Sequence, residues 1–197
     1  MSTRTVRLQA AAVAVGLLPL FAFGADTAWR GFGANPIEDI THVTGEWALR
    51  WLLVCLAVTP ARRWLGWSWA APLRRTFGLL AFGYAVLHAS TWAVLDLGLD
   101  PAAMVEDLLE RRYIAAGATA FALLTPLALT STRASIRRLG RRWLTLHRLV
   151  YAAAIAAVIH FLWLVKADLA APLLHAGVLV VLLAARLRRP ARGAAAG

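Results

Sequence analysis

The stretch Arg141–Lys166, RRWLTLHRLVYAAAIAAVIHFLWLVK, decides the class of fold. It begins with two arginines, continues as one long apolar run and ends at a lysine. An α-helix of this length crosses the ~30 Å hydrocarbon core of a bilayer. His147 and His160 lie inside the run, ~20 Å apart along a helix axis. Because imidazoles are costly inside a membrane, both are candidates for a functional role.

The composition of the whole chain agrees with a membrane location. Of its 197 residues, 60% are hydrophobic, and the mean hydropathy is +0.65. These values predict an all-α, polytopic membrane bundle, and without linkers or repeats we expect one domain over residues 1–197. The net charge of +11 comes from short arginine clusters between apolar runs, which argues against nucleic-acid binding. The single cysteine, Cys55, excludes an intrachain disulfide and is expected to face lipid or to be packed.

Six apolar runs predict about six transmembrane helices. The second run is the least apolar because it contains Glu46 and Arg50, and the first also fits a cleaved signal sequence, since Arg4 and Arg7 precede it. The predicted spans cover residues 8–25, 44–59, 76–97, 113–130, 143–165 and 170–187.

The charges predict the orientation of these spans. Arginines cluster on alternate connections, and the acidic residues occupy the other connections and their helix ends. Since basic residues are retained on the cytoplasmic side, both termini are predicted to be cytoplasmic. The arginines are Arg4, Arg7, Arg62, Arg63, Arg74, Arg75, Arg133, Arg137, Arg138, Arg141, Arg142, Arg186, Arg188, Arg189 and Arg192; the acids are Asp26, Glu38, Asp39, Glu46, Asp96, Asp100, Glu106, Asp107, Glu110 and Asp168.

Depth along the helices then pairs two histidines. His88 lies ~18 Å from the cytoplasmic end of the third span, and His160 ~25 Å from that of the fifth. Two neutral imidazoles that face each other across a bundle can supply both axial ligands of a b-type haem. The alternative is that each only forms a hydrogen bond to a neighbouring helix. No CxxCH motif is present, which excludes covalent c-type attachment.

His147 lacks an equivalent partner. The corresponding position on the third span, 13 residues before His88, is Arg75, and Arg74 precedes it. A guanidinium cannot ligate iron but binds phosphate well, so the inner site suits a phosphate-bearing cofactor such as a flavin nucleotide. The alternative is that Arg74 and Arg75 only contact lipid phosphates and set the topology.

The remaining two histidines and the missing motifs give weaker indications. His42 is predicted to lie in an outer loop, with a quinone or partner contact as the alternative, and His175 is predicted to pack within the last helix. No GxGxxG, Walker, HExxH or GxSxG motif is present, so we expect electrons to enter from and leave to other molecules.

Several motifs, in order and with matching spacing, make the chain similar to the MsrQ (YedZ) family. This family comprises the haem-bearing membrane subunits of the periplasmic methionine-sulfoxide reductase system MsrPQ, within the ferric-reductase-like transmembrane superfamily. The motifs are NPIEDITHVTG (Asn35–Gly45), RRTFG (Arg74–Gly78), LHAS (Leu87–Ser90), LTSTRAS (Leu129–Ser135), LGRRWLTLHRLVY (Leu139–Tyr151) and IHFLWLVK (Ile159–Lys166).

The resemblance implies an electron-transfer subunit of the bacterial inner membrane with no substrate chemistry of its own. It would pass electrons from the quinone pool or a cytosolic flavin reductase to the periplasmic molybdopterin reductase MsrP, for repair of methionine sulfoxide. The implied cofactors are b-type haem, one or two, and FMN. By motif, the haem-associated residues are His88, His147 and His160, with His88 and His160 as iron ligands and His147 as a further candidate. Arg74 and Arg75 match the pair linked to FMN. A self-sufficient transmembrane ferric reductase and a non-redox anchor or assembly subunit are the alternatives.

Overall fold

The computed structural model of the protein describes residues 2–187, and the regular structure within them is entirely helical. A 3₁₀ turn (Ser68–Ala70) precedes α3, and a π-helical segment (Thr91–Asp96) continues it. Arg188, Arg189 and Arg192, predicted to be cytoplasmic, lie outside the described residues. The α-helices are α1 (Thr3–Arg30), α2 (Pro36–Trp64), α3 (Leu73–Ser90), α4 (Pro101–Glu110), α5 (Arg112–Leu129), α6 (Arg133–Leu139), α7 (Arg141–Leu146), α8 (Leu149–Leu164) and α9 (Ala170–Leu187).

The predicted helical membrane bundle is confirmed. Within residues 2–187, five segments are long and apolar enough to cross a membrane: α1, α3 with its π segment, α5, α7 with α8, and α9. They correspond to five of the six predicted spans. The remaining predicted span, residues 44–59, lies within α2. The 29 residues of α2 extend over ~43 Å and so exceed the hydrocarbon thickness. Its apolar character is reduced by Glu46 and Arg50, which form an ion pair with each other.

The helix α2 begins earlier than the prediction placed it. The Asn35 side chain accepts a hydrogen bond from the Glu38 backbone N–H, and Pro36 occupies the first helical turn. Residues 36–43 are therefore helical and do not form a loop. The prediction that His42 lies in a loop was wrong, because this N-cap starts the helix before it.

The core of the bundle consists of two packed helix pairs, α2 with α3 and α5 with α8. Small residues such as Ala81, Ala153 and Ala154 are fully buried and let the helices approach closely. The buried Tyr84 hydroxyl donates a hydrogen bond to the Gly16 carbonyl at 2.7 Å, which fixes α1 against α3. The first predicted span thus packs on the bundle.

The fifth predicted span is interrupted. The chain is helical over α7, turns at His147 and Arg148, and becomes helical again in α8. The Trp143 indole N–H donates to the Thr130 carbonyl at 3.0 Å, which fastens α7 to the end of α5. The predicted span over 143–165 corresponds to the candidate membrane segment Arg141–Leu164, and the turn at His147 and Arg148 lies within that segment.

Two short helices were not predicted. The helix α4 follows the π segment, and the Asp100 side chain accepts hydrogen bonds from its first backbone N–H groups. The buried Asp107 carboxylate holds α4 in place, since it accepts from the Trp92 indole at 3.0 Å and pairs with Arg111 at 3.1 Å. The second short helix, α6, lies between α5 and α7, in the basic connection between the fourth and fifth predicted spans.

The successive long helices alternate in direction, which gives the bundle two distinct ends. We call the end at which α2, α5 and α9 begin the acidic end, because Glu38, Asp39, Glu106, Glu110 and Asp168 lie there. We call the opposite end, at which α3 and α7 begin and α9 finishes, the arginine-rich end. It carries Arg62, Arg63, Arg74, Arg75, Arg141, Arg142 and Arg186.

Candidate functional site

His88 and His160 lie opposite each other across the bundle. His88 projects from α3 and His160 from α8, and their ring centroids are 5.9 Å apart with ring planes at 76°. Both side chains are largely shielded by protein. The structure therefore brings together the two histidines that depth along the helices had paired.

Each of the two rings is oriented by a backbone carbonyl. His88 Nδ1 lies 3.0 Å from the Thr41 carbonyl oxygen, and His160 Nδ1 lies 2.6 Å from that of Tyr113. A carbonyl oxygen can only accept, so each Nδ1 carries the proton and donates it. Each Nε2 is consequently left with a free lone pair, which is the state in which a neutral imidazole ligates a metal.

Glycines on the neighbouring helices make room for both rings. A Cβ at Gly45 would lie 2.8 Å from His88 Cε1, and one at Gly117 would lie 2.8 Å from His160 Nδ1. Gly45 is one helical turn after Thr41, and Gly117 is one turn after Tyr113. The two histidines thus have matching cradles: a carbonyl that orients the ring and a glycine that accommodates it.

This donor set fits a metal bound between two imidazoles. Two metal–nitrogen bonds of ~2 Å, added to the half-width of each ring, place ring centroids about 6 Å apart. Within residues 2–187 no group of three or more His, Cys, Asp or Glu side chains could hold a metal ion. A haem iron needs only two axial ligands from the protein, because the porphyrin supplies the others.

His147 has different surroundings. Its Nε2 is 3.1 Å from the Thr130 hydroxyl oxygen, and Trp143 stacks on its ring with centroids 3.8 Å apart. Thr130 Oγ1 is also 2.6 Å from the Pro126 carbonyl, to which it donates, so it accepts a hydrogen bond from His147 Nε2. The charged neighbour that acts on His147 is Arg74. Its described side-chain contacts thus comprise a tryptophan and a threonine.

The arginine-rich end concentrates positive charge that no carboxylate neutralises. Arg74 is partly buried at the start of α3, whereas Arg75 is exposed. The ion pairs among residues 2–187 involve Asp26, Glu38, Glu46 and Asp107, all in α1, α2 or α4 and none with Arg74 or Arg75. Uncompensated guanidinium groups in a partly buried site are suited to a phosphate.

Arg186 belongs to this end and was assigned only a topological role from the sequence. Its Nη1 donates to the Tyr151 hydroxyl at 2.7 Å, and its Nη2 donates to the Leu56 carbonyl at 2.6 Å. Arg74 is among its charged neighbours. The sequence signal for this role was the position of Arg186, which lies inside the last predicted span, 170–187. An arginine that only marks the membrane boundary would follow the span.

His42 and His175 lie apart from these features, whereas Cys55 contacts the arginine-rich end. His42 is exposed on α2, 3.7 Å from Glu38. His175 is buried on α9, with Nδ1 2.7 Å from the Ala171 carbonyl and Phe161 edge-on to its ring, as the packing interpretation expects. Cys55 is buried, and its thiol donates to the Arg74 carbonyl at 3.2 Å.

The five candidate membrane spans define a multi-pass membrane protein, and the His88–His160 pair lies near one end of its helical bundle. The family model described as "Ferric reductase like transmembrane component" matches residues 44–158, which contain all of the paired histidine site except Thr41 and His160.

Comparison with individual proteins narrows this class. The chain is 50% identical over 87% of its length to a protein of Rhodospirillum rubrum, of which the match covers 83%. It is 45% identical over 96% of its length to one of Ralstonia nicotianae (90% covered) and 48% identical over 90% of its length to one of Deinococcus radiodurans (88% covered). Each relative is named "Protein-methionine-sulfoxide reductase heme-binding subunit MsrQ". The chain belongs to the MsrQ family, and the predicted resemblance is confirmed.

Proposed function

We propose that this chain is the haem-binding, electron-transfer subunit of a methionine-sulfoxide reductase system in the bacterial inner membrane. The single observation that carries the proposal is the pair His88–His160, with centroids 5.9 Å apart and both Nδ1 atoms committed to backbone carbonyls. The names of the relatives agree with it. The whole chain, residues 1–197, acts as one ferric-reductase-like transmembrane domain.

The paired histidines would hold one b-type haem through their Nε2 atoms. When bound, the haem supplies reversible one-electron transfer at its iron. The chain positions the two imidazoles, fixes their tautomers through Thr41 and Tyr113, and surrounds the site with packed helices that exclude water. His147 would serve the arginine-rich end, next to the flavin or to a second haem.

Arg74 and Arg75 would hold the phosphate of an FMN at the arginine-rich end. Support comes from the positive charge of Arg74 beside His147 and from the absence of a carboxylate partner for either arginine within residues 2–187. When bound, a flavin converts two-electron donors into one-electron flow. The donor would be the quinone pool or a cytosolic flavin reductase.

The acidic end would receive the periplasmic reductase MsrP. There α4 exposes Leu109 and Val105 beside Glu106 and Glu110. Exposed apolar side chains next to acidic ones suit a partner with a complementary basic surface. MsrP would carry the catalytic site, and this chain would supply its electrons.

The haem assignment is tested by optical spectra of the purified protein. We expect His88→Ala and His160→Ala each to abolish the spectrum of the reduced b-type haem bound between them, while His175→Ala retains it. If either ligand variant keeps the wild-type spectrum and haem content, the assignment is wrong.

The flavin assignment requires a separate measurement. We expect Arg74→Ala/Arg75→Ala to lose bound FMN and to retain haem, because the arginines lie at the end of the bundle opposite the histidine pair. Equal flavin content in this variant and in the wild type would refute the role of these arginines.

A second candidate function is a self-sufficient transmembrane ferric reductase, which the matched family model favours by its description. Purified protein in proteoliposomes distinguishes the two. Electron delivery to MsrP but not to external ferric iron supports the proposed function, and reduction of external iron without MsrP supports the alternative. A haem-free, colourless protein would instead indicate an anchor or assembly subunit.

A further inference from the structure

The last helix places a guanidinium inside the arginine-rich end. Arg186 is only partly exposed, although it lies in the last turn of α9. It crosses to α2 and α8, where it donates to the Leu56 carbonyl at 2.6 Å and to the Tyr151 hydroxyl at 2.7 Å. The guanidinium carbon of Arg186, Cζ, also lies over the Tyr151 ring, 5.2 Å from the ring centroid.

A proline in α2 explains why Arg186 can approach so closely. Pro60 has no backbone N–H, so the Leu56 carbonyl one turn earlier lacks its usual helical donor. Arg186 donates a hydrogen bond to this carbonyl instead. Two further contacts fix α9 beside α2, since Arg63 and the Trp64 indole donate to the carbonyls of Arg186 and Ala185 at 3.2 Å each.

The described residues satisfy only part of this guanidinium's hydrogen-bonding capacity. A guanidinium has five N–H donors, and the described contacts use two of them. The Nε atom is buried and has no hydrogen-bond partner among the described residues. Arg186 and Arg74 meet α2 at adjacent residues, since Arg186 donates to the Leu56 carbonyl and the Cys55 thiol donates to the Arg74 carbonyl. None of the ion pairs within residues 2–187 includes the side chain of Arg74 or Arg186. Two guanidiniums at one end of the bundle, without a carboxylate partner among residues 2–187, favour a bound anion.

We propose that Arg186, on α9, binds the phosphate group of FMN together with Arg74, on α3. The inference rests on the proposed function of the arginine-rich end and adds to it a phosphate-binding residue from the last helix. A phosphate bound by both guanidiniums would link α9 to α3 through charge-assisted hydrogen bonds. A lipid headgroup offers the same phosphate chemistry, and the test must distinguish the two sources.

The test compares Arg186→Gln with the wild type and with Arg62→Gln, which removes the same charge from an exposed position at the same end. Each protein is purified, and its FMN, haem and bound phospholipid are quantified. Flavin-depleted protein is then titrated with FMN and with riboflavin, which lacks the phosphate. We expect Arg186→Gln to bind FMN about ten- to a hundredfold more weakly, with riboflavin binding and haem content unchanged. Arg62→Gln should match the wild type.

Two further variants separate recognition of phosphate from a structural role. Tyr151→Phe removes one hydrogen-bond partner of Arg186 but keeps the charge, so its preference for FMN over riboflavin should persist. Arg186→Lys keeps the charge without the planar fork and should give an intermediate preference, and it provides the measurement if Arg186→Gln does not fold.

The outcomes are distinguishable. Wild-type protein that binds FMN, with an undiminished FMN preference in both Arg186 variants, overturns the inference and leaves the proposed function standing. Unchanged FMN with loss of bound anionic phospholipid from Arg186→Gln overturns it in favour of a lipid. Wild-type protein that binds no FMN overturns the flavin part of the proposed function, and the inference with it.

Discussion

Replacing Gly45 with alanine should displace the His88 ring without disrupting the bundle. The new Cβ would lie 2.8 Å from His88 Cε1 and 2.9 Å from Nδ1, closer than a real Cβ contact allows. The atoms that must move belong to the ring itself, so relief comes from rotating or withdrawing the imidazole. Either movement strains the hydrogen bond from His88 Nδ1 to the Thr41 carbonyl, now 3.0 Å long.

The size of the effect follows from three contributions. Forcing an extra methyl group into a packed site typically costs about 1–3 kcal/mol. In the opposite direction, alanine is about 1 kcal/mol better than glycine in a helix interior, so the net change in stability should be about 0–2 kcal/mol. Disturbing the group that orients a metal-binding histidine typically lowers metal affinity about 10–100-fold. Haem binding should therefore suffer far more than folding.

The assay is haem content per protein together with the optical spectrum of the reduced form and a thermal unfolding curve. Gly83→Ala is the matched control, because Gly83 is also helical and an added Cβ would meet nothing within 4 Å. It should retain full haem and unfold at the same or a slightly higher temperature. Gly117→Ala should behave like Gly45→Ala, since its Cβ would lie 2.8 Å from His160 Nδ1.

The reasoning makes Gly45 and Gly117 part of the ligand geometry. It is refuted if both alanine variants bind haem with wild-type stoichiometry and show unchanged spectra. Loss of haem from Gly83→Ala to the same extent would also contradict it, because the effect would then not depend on contact with a histidine ring.

Three other predictions concern the helices around the site. Tyr84→Phe removes a buried hydrogen bond between α3 and α1 and should lower stability by about 0.6 kcal/mol, seen as a small drop in melting temperature at constant haem content. Asp107→Asn weakens the contacts with Trp92 and Arg111 and should cost about 1–2 kcal/mol, detected as faster proteolysis around α4. Glu106→Lys/Glu110→Lys should slow electron transfer to MsrP at low salt, with the difference shrinking at high salt; an unchanged rate at low salt would exclude α4 from the docking surface.

Hydrophobic patterning predicted most of the bundle, because the length of an apolar run is set by the bilayer. The span predicted at 170–187 coincides with α9, and that at 113–130 differs from α5 by one residue at each end. The boundaries of α2 were missed because its first turns are polar and its start is set by the Asn35 cap. The helix α4 was missed because its ten residues are too few to produce an apolar run of spanning length.

The histidine pair was predictable from depth, whereas its surroundings were not. Counting residues placed His88 and His160 at similar heights, but the ~100° turn per residue gives no direction toward a particular neighbour. The carbonyls of Thr41 and Tyr113 carry no sequence signal, since any residue has one. The turn at His147 was also hidden, because residues 143–150 contain no proline or glycine that would mark a break in the helix. Arg186 was read as a topology marker because its contact with Leu56 depends on Pro60, which is distant in sequence.

The two ends of the bundle differ in the chemistry of the side chains that they bring together. The two halves of the His88–His160 site share the same arrangement. In each half, the histidine Nδ1 donates to the carbonyl of a residue 47 positions earlier, and a glycine one turn after that residue lies against the ring. Such a site is neutral, rigid and able to ligate a metal from both sides. Within residues 2–187, the arginine-rich end does not repeat this arrangement. His147 contacts Thr130 and Trp143 there, and its charged neighbour is an arginine. Its unneutralised guanidiniums attract an anion. An anionic cofactor would thus be favoured at the arginine-rich end and an iron between two imidazoles at the His88–His160 pair. In the proposed function, electrons would enter at the first of these sites and leave from the second.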